Sequence, residues 1–200
     1  MTSPATSPLV LHLASTPEAN DLLARDPFAL LAGMLLDQQV PMDWAFTAPH
    51  MLLERLGGES FDPAEIARTD PDKFVSLAKG PPAIHRYPGS MAARLQKLAQ
   101  YIVDEYAGDT AAIWTTAEHG ADLLRRLKAL PGFGEQKAKI FLALLGKQMG
   151  VTPDGWREAA GVYGEAGSTR SIADVTGPEA LAAVRAYKQK VKAKAKAAAR

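Results

Sequence analysis

Apolar residues recur along this chain at helical spacing, and nowhere do they alternate over the length of a strand. The densest run, residues 27–39, carries Phe28, Leu30, Leu31, Met34, Leu35 and Leu36 with little polar face, which predicts a central buried helix. It ends in Asp37-Gln38-Gln39-Val40-Pro41. Two amides and a carboxylate at a buried helix end need partners or a ligand. Residues 43–56 read as an amphipathic helix closed by Gly57 and Gly58. Residues 63–67 and 71–79 read as short helices, each opened by an Asp-Pro pair in which Asp caps and Pro takes the first turn. Residues 80–87 form a proline-broken loop, after which Ser90 is expected to cap a helix over 91–106. Upstream, residues 12–16 predict a short strand or extended arm before Thr16-Pro17-Glu18 opens a helix reaching residue 25. Downstream, a helical turn at 110–114 and a helix over 121–129 lead into a second strong apolar run at 137–149. A short helix at 156–160, a glycine-rich loop at 161–171 and a final helix at 178–199, apolar early and basic late, complete an all-α pattern.

Between the helices at 121–129 and 137–149 lies Leu130-Pro131-Gly132-Phe133-Gly134. One proline and two glycines in five residues predict a tight helical hairpin. Glycine leaves backbone N–H groups uncovered, and the helix start that follows adds more of them with a positive dipole end. That is an anion site suited to a backbone phosphate, or an ordinary helix–helix turn.

Composition narrows the options. With 200 residues and 47% hydrophobic content, the chain can bury one core or two small lobes. It has no cysteine, which excludes disulfides, zinc–thiolate sites and iron–sulfur clusters. No apolar run reaches membrane-spanning length, and residues 1–8 do not have the form of a signal peptide, so a cytoplasmic protein is expected. The net charge of +1 conceals an asymmetry. Seven basic and no acidic residues fall between 185 and 200, leaving a balance of −6 over the other 184 residues. Such a tail is a nucleic-acid-attracting arm or a solvated helix end.

Three blocks, taken in order and spacing, resemble the helix-hairpin-helix base-excision DNA glycosylases, the superfamily that includes endonuclease III-like and alkyladenine glycosylases. They are the helix ending in Gln38-Gln39, Gly89-Ser90 followed by Arg94, and Leu130-Pro131-Gly132-Phe133-Gly134 followed by Ala138. The resemblance runs from about residue 27 to about 156. It implies an all-α, two-lobed fold with a cleft between the lobes, and a domain over residues 27–160 flanked by an arm and first helix (1–26) and a loop with a basic helix (161–200). It implies Gln38 and Gln39 reaching into DNA at the vacated base. Gly132, Phe133 and Gly134 would hold a phosphate, Lys137, Lys139 and Lys147 would add charge near it, and a monovalent cation is a possible companion of that phosphate. The partner implied is double-stranded DNA bearing a damaged or mismatched base, bound by a monomer associated with the nucleoid.

In relatives the catalytic aspartate ends the helix after the hairpin. Asp154 stands at that spacing, in an unusual Pro153-Asp154-Gly155 context, with Asp37 as the alternative carboxylate. A carboxylate suits the chemistry because breaking an N-glycosidic bond leaves an oxocarbenium-like sugar, and because water must be oriented or deprotonated. Strand-cutting relatives carry a lysine where this chain has Gln136, so base release without lyase activity is implied. Trp44, Phe46, His85, Tyr87 and Trp156 are the candidate walls of a base pocket, or else plain core. No other cofactor or metal is implied. A non-catalytic hairpin DNA-binding protein and a helical protein-interaction domain are the alternative readings.

Overall fold

The computed structural model describes residues 9–198, so the reading of residues 1–8 and the last residue of the final helix lie outside it. The described residues form eleven α-helices and no strand. Residues 9–15 form no strand and bend from residue 13, yet Leu11 and Leu13 are buried, and Asn20 holds the arm by accepting the Leu13 and Ala14 amides. The segment before α1 is thus an anchored arm.

The first lobe comprises α1 (Pro17–Arg25), α2 (Pro27–Leu36), α3 (Met42–Leu56), α4 (Pro63–Arg68), α5 (Pro71–Lys79) and α6 (Pro88–Tyr106). Four of these helices start in the same way: Thr16, Asp26, Asp62 and Asp70 accept a first-turn amide while proline opens the helix. Asp26 has a second task, since its other oxygen accepts the Phe61 amide at 2.8 Å and ties α2 to the chain before α4. The α6 helix starts three residues earlier than the polar pattern suggested. Tyr87 occupies its cap position with no side-chain cap, and Ser90 lies inside the first turn.

The second lobe comprises α7 (Ala112–Thr115), α8 (Gly120–Ala129), α9 (Glu135–Gln148), α10 (Trp156–Ala160) and α11 (Pro178–Ala198), with two 3-10 turns, Gly161–Tyr163 and Ile172–Asp174, between the last two. Both lobes share one core. α2 is buried all round, as its composition demands, from Phe28 to Leu36. Phe133, Ala138, Phe141, Leu142 and Leu145 of the hairpin and α9 join the same cluster, as do Ile172, Ala173, Val175 and Val184. The segment after α10 thus packs on α9 instead of trailing from it.

Candidate functional site

The polar end of α2 is where the two lobes meet. The helix stops at Leu36 rather than running to Gln39. The Asp37 amide makes the last helical bond, to Gly33 at 3.0 Å, and Gln39 then takes a left-handed φ of +58°, rare outside glycine. Four orphan carbonyls of a buried helix end require donors. Lys137 supplies two of them, donating to the carbonyls of Met34 and Leu35 (3.0 Å), and also meets the Asp37 carbonyl just beyond (3.3 Å). Burial lowers its pKa to about 8, opposed by the Asp37 charge and assisted by that of Arg94. Lys137 therefore caps α2 from across the lobes, and its ammonium is engaged there.

His85 completes the support. The Tyr87 amide donates to Nδ1 at 3.0 Å, so Nδ1 carries no proton. Nε2 then bears the proton and donates to the Gln38 carbonyl at 2.9 Å. The residue is 1% exposed and works as a strut. The Gln38 side chain is likewise committed, donating to Leu35 O at 2.8 Å and accepting from Arg94 at 3.3 Å. Of the two amides, Gln39 is the exposed one.

A cavity of about 630 Å³ opens against this helix end. Met34, Asp37, Gln38, Gln39 and Val40 form one wall, Gln136, Lys137 and Ile140 of α9 a second. The remaining lining comes from the C-terminal segment: Val162 and Tyr163, Arg170 to Ile172, and Tyr187, Lys188, Val191 and Lys192 of α11. Asp37 is the only carboxylate among the described residues lining it, against four cationic side chains. Burial raises the Asp37 carboxyl above its ordinary pKa, while Lys188 and Lys137 act in the opposite direction. Gln136 donates to the Tyr163 hydroxyl at 2.9 Å, fixing that ring at the rim.

The hairpin lies at the start of α9. Gly132 has a φ of +85°, and a Cβ there would come within 2.5 Å of Leu35 Cδ1. This glycine is required by the positive φ of the turn, and a Cβ would also displace the Leu35 side chain of α2. Gly134 differs: its φ is −80°, a Cβ would meet nothing within 4 Å, and no side chain caps the helix it opens. The first amides of α9 therefore face open space. Phe133 is buried edge-on against Phe141 and serves the core. Lys139 stands beside the hairpin, 2.7 Å from Glu135, which Lys128 also approaches at 3.6 Å.

Other expected site residues lie elsewhere. Asp154 is exposed and does not line the cavity. Its backbone carbonyl accepts the Gly120 amide at 2.7 Å, and Gly155, not Asp154, stands at the start of α10. Among the proposed aromatic walls, none lines the cavity. The Trp44 indole donates to Ala83 O at 3.1 Å. Phe46 is fully buried against Gly33, and Trp156 fills the space that Gly146 leaves open. Tyr87 is exposed with Arg86 over its ring at 5.5 Å. Lys147 is at the opposite end of α9 from the hairpin, in a 2.6 Å ion pair with Asp174. The aromatics that do line the cavity, Tyr163 and Tyr187, were missed. A signal for one existed: Leu181, Val184, Tyr187 and Val191 fall on one helical stripe within a tail whose charge dominated its reading.

Among the described residues, no cluster of three or more His, Cys, Asp or Glu is placed to hold a metal ion, and no helix is long and apolar enough to cross a membrane. A family model described as HhH-GPD superfamily base excision DNA repair protein matches residues 32–199, a span that takes in α2, the hairpin and the C-terminal wall of the cavity. No curated protein and no solved structure matches the chain.

Proposed function

Because the chain belongs to the HhH-GPD superfamily of base excision DNA repair proteins, we propose that it is a monofunctional DNA glycosylase whose catalytic carboxylate is Asp37. One observation carries this reading: a half-buried carboxylate at the end of α2 faces a cavity of about 630 Å³ between the lobes, room enough for an everted nucleotide. With the base in the cavity, Asp37 accepts a proton from water as the water oxygen bonds to C1′. The C1′–N bond breaks, and its electron pair leaves with the base. The carboxylate charge also stabilises the oxocarbenium character that builds up on the sugar. Gln39, exposed and held at positive φ, is the amide placed to enter the space that the base vacates. A monomer acting on duplex DNA with one damaged or mismatched base accounts for these features. The test is single-turnover base release from duplexes that each carry one lesion (uracil, alkylated purine, oxidised base or mismatch). Binding without release from any of them would favour the non-catalytic DNA-binding reading.

The hairpin would hold a backbone phosphate through the uncovered amides at the start of α9. The carbonyls of Pro131, Gly132 and Phe133 meet no donor among the described residues, which fits a monovalent cation beside that phosphate. Gly134→Ala is the informative substitution, because its backbone and surroundings accept a methyl group in the free protein. It should leave thermal stability unchanged and weaken duplex binding roughly tenfold or more, since a methyl group would stand between amides and phosphate. Gly132→Ala would confuse folding with binding. Unchanged affinity in Gly134→Ala would remove the hairpin as anchor.

Base release without lyase activity is supported by Gln136, whose amide is engaged with Tyr163, and by Lys137, whose protons are given to three carbonyls. Incubation with lesion DNA and borohydride should trap no covalent complex. A species mapping to Lys137 would show instead that this amine leaves its cap and attacks the sugar.

A further inference from the structure

The geometry points to a cavity that selects neutral, carbonyl-bearing bases and rejects N-alkylated cationic ones, an inference that rests on the glycosylase reading above. Its lining carries more positive than negative charge: Arg170, Lys188, Lys192 and Lys137 against one carboxylate, Asp37. Arg170 is paired at 3.3 Å with Glu165 and Lys137 is engaged with three carbonyls, so Lys188 and Lys192 are the cations left without such partners among the described residues. Like charges in a partly desolvated space disfavour a cationic ligand. Attraction of a cationic base to an aromatic face would offset this, but the Arg170 guanidinium already lies over the Tyr187 ring, 5.8 Å from its centroid. Tyr163 is held at the rim by the Gln136 bond to its hydroxyl at 2.9 Å. Exocyclic oxygens, by contrast, would meet ammonium and guanidinium donors, and a charge-assisted bond is the stronger kind. Uracil, hypoxanthine and 8-oxoguanine have such oxygens and no charge, whereas 7-methylguanine and 3-methyladenine are cations as nucleosides.

The experiment compares duplexes with one of these five lesions in the same sequence, reading both single-turnover base release and equilibrium affinity. At least one carbonyl-bearing base should leave ten times faster, or its duplex bind ten times tighter, than either cationic base. Arg170→Gln frees the Tyr187 face and removes a charge, and Lys188→Gln removes a second. Each should narrow the ratio severalfold through a gain on the cationic lesions. Equal or faster release of the cationic bases by the unmutated protein overturns the proposal. If nothing is released, the glycosylase reading fails by itself, and affinity decides the selectivity: equal dissociation constants for the two classes reject it. A ratio unchanged in both folded variants also rejects it, because the selectivity would then arise outside these side chains.

Discussion

Asp37→Asn is expected to slow single-turnover base release roughly 100-fold or more, about 2.7 kcal/mol of barrier, with duplex affinity little changed. The substitution keeps the shape of the side chain and removes the charge. The Asp37 amide and carbonyl, which close α2 and receive Lys137, remain in place, so loss of rate would not reflect loss of the helix end. The pH profile supplies a second readout. Burial raises the Asp37 carboxyl above 3.8, and only the ionised form accepts a proton or stabilises a cationic sugar. The rate should therefore fall as pH drops through this raised value, at a higher pH than an unperturbed aspartate would give, and Asp37→Asn should lack that limb. Asp154→Asn is the paired control. Its carboxylate is exposed and apart from the cavity, so near-normal turnover is expected. The reverse outcome, an inactive Asp154→Asn beside an active Asp37→Asn, would return catalysis to the spacing that the resemblance implies and leave the cavity without chemistry.

The largest stability effect should come from Asp174. Its side chain is 4% exposed and meets the Lys147 ammonium at 2.6 Å. Its second oxygen accepts from the Ser168 hydroxyl and from the amides of Arg170 (2.9 Å) and Ser171 (3.1 Å). Ser171 in turn accepts the Ala173 amide, closing a capping box on the 3-10 turn. Asp174→Ala would leave the Lys147 ammonium, 14% exposed, and the buried Ser171 amide unpaired, and would leave the Arg170 amide only its 3.3 Å bond to the Ser168 hydroxyl, a loss of about 3 kcal/mol. Chemical denaturation should show it as a shifted midpoint. Lys147→Met leaves Asp174 with its three other donors and should cost less. A double variant should lose less than the sum of the two, because the shared pair is counted twice. Strict additivity would mean the ion pair contributes nothing to folding. The clamp bears on function too: Arg170 and Ser171 line the cavity, so a folded Asp174→Asn variant should bind lesion duplex less tightly.

Much of the fold is legible without coordinates because its signals are local. Thr16, Asp26, Asp62 and Asp70 announce helix starts by bonding amides two or three residues away. The unbroken apolar run of α2 predicts its burial on every side, and Gly132 predicts the positive φ of the hairpin turn. The family follows from three such local blocks in order. Local bonding also explains where the reading overran: Gln38 and Gln39 continue the pattern of α2, but the helix ends at Leu36, because the donors for its last carbonyls come from Lys137, up to 103 residues away.

Only the tertiary structure decided which residues share the cavity. By itself, the sequence determined an all-α hairpin protein with a polar end on its central helix and two candidate carboxylates. Packing placed Asp37 against the cavity and left Asp154 at the surface. It also engaged Lys137, Lys147, His85 and Trp156 in a helix cap, an ion pair, a strut and the core. It brought Tyr163 and Tyr187 in through a C-terminal helix whose lysines had marked it as an arm. The physical reason is the range of the forces. Capping, turn conformation and periodicity act over a few residues and leave a mark at each position. The composition of a cavity depends on which distant surfaces bury each other, and no spacing along the chain records it.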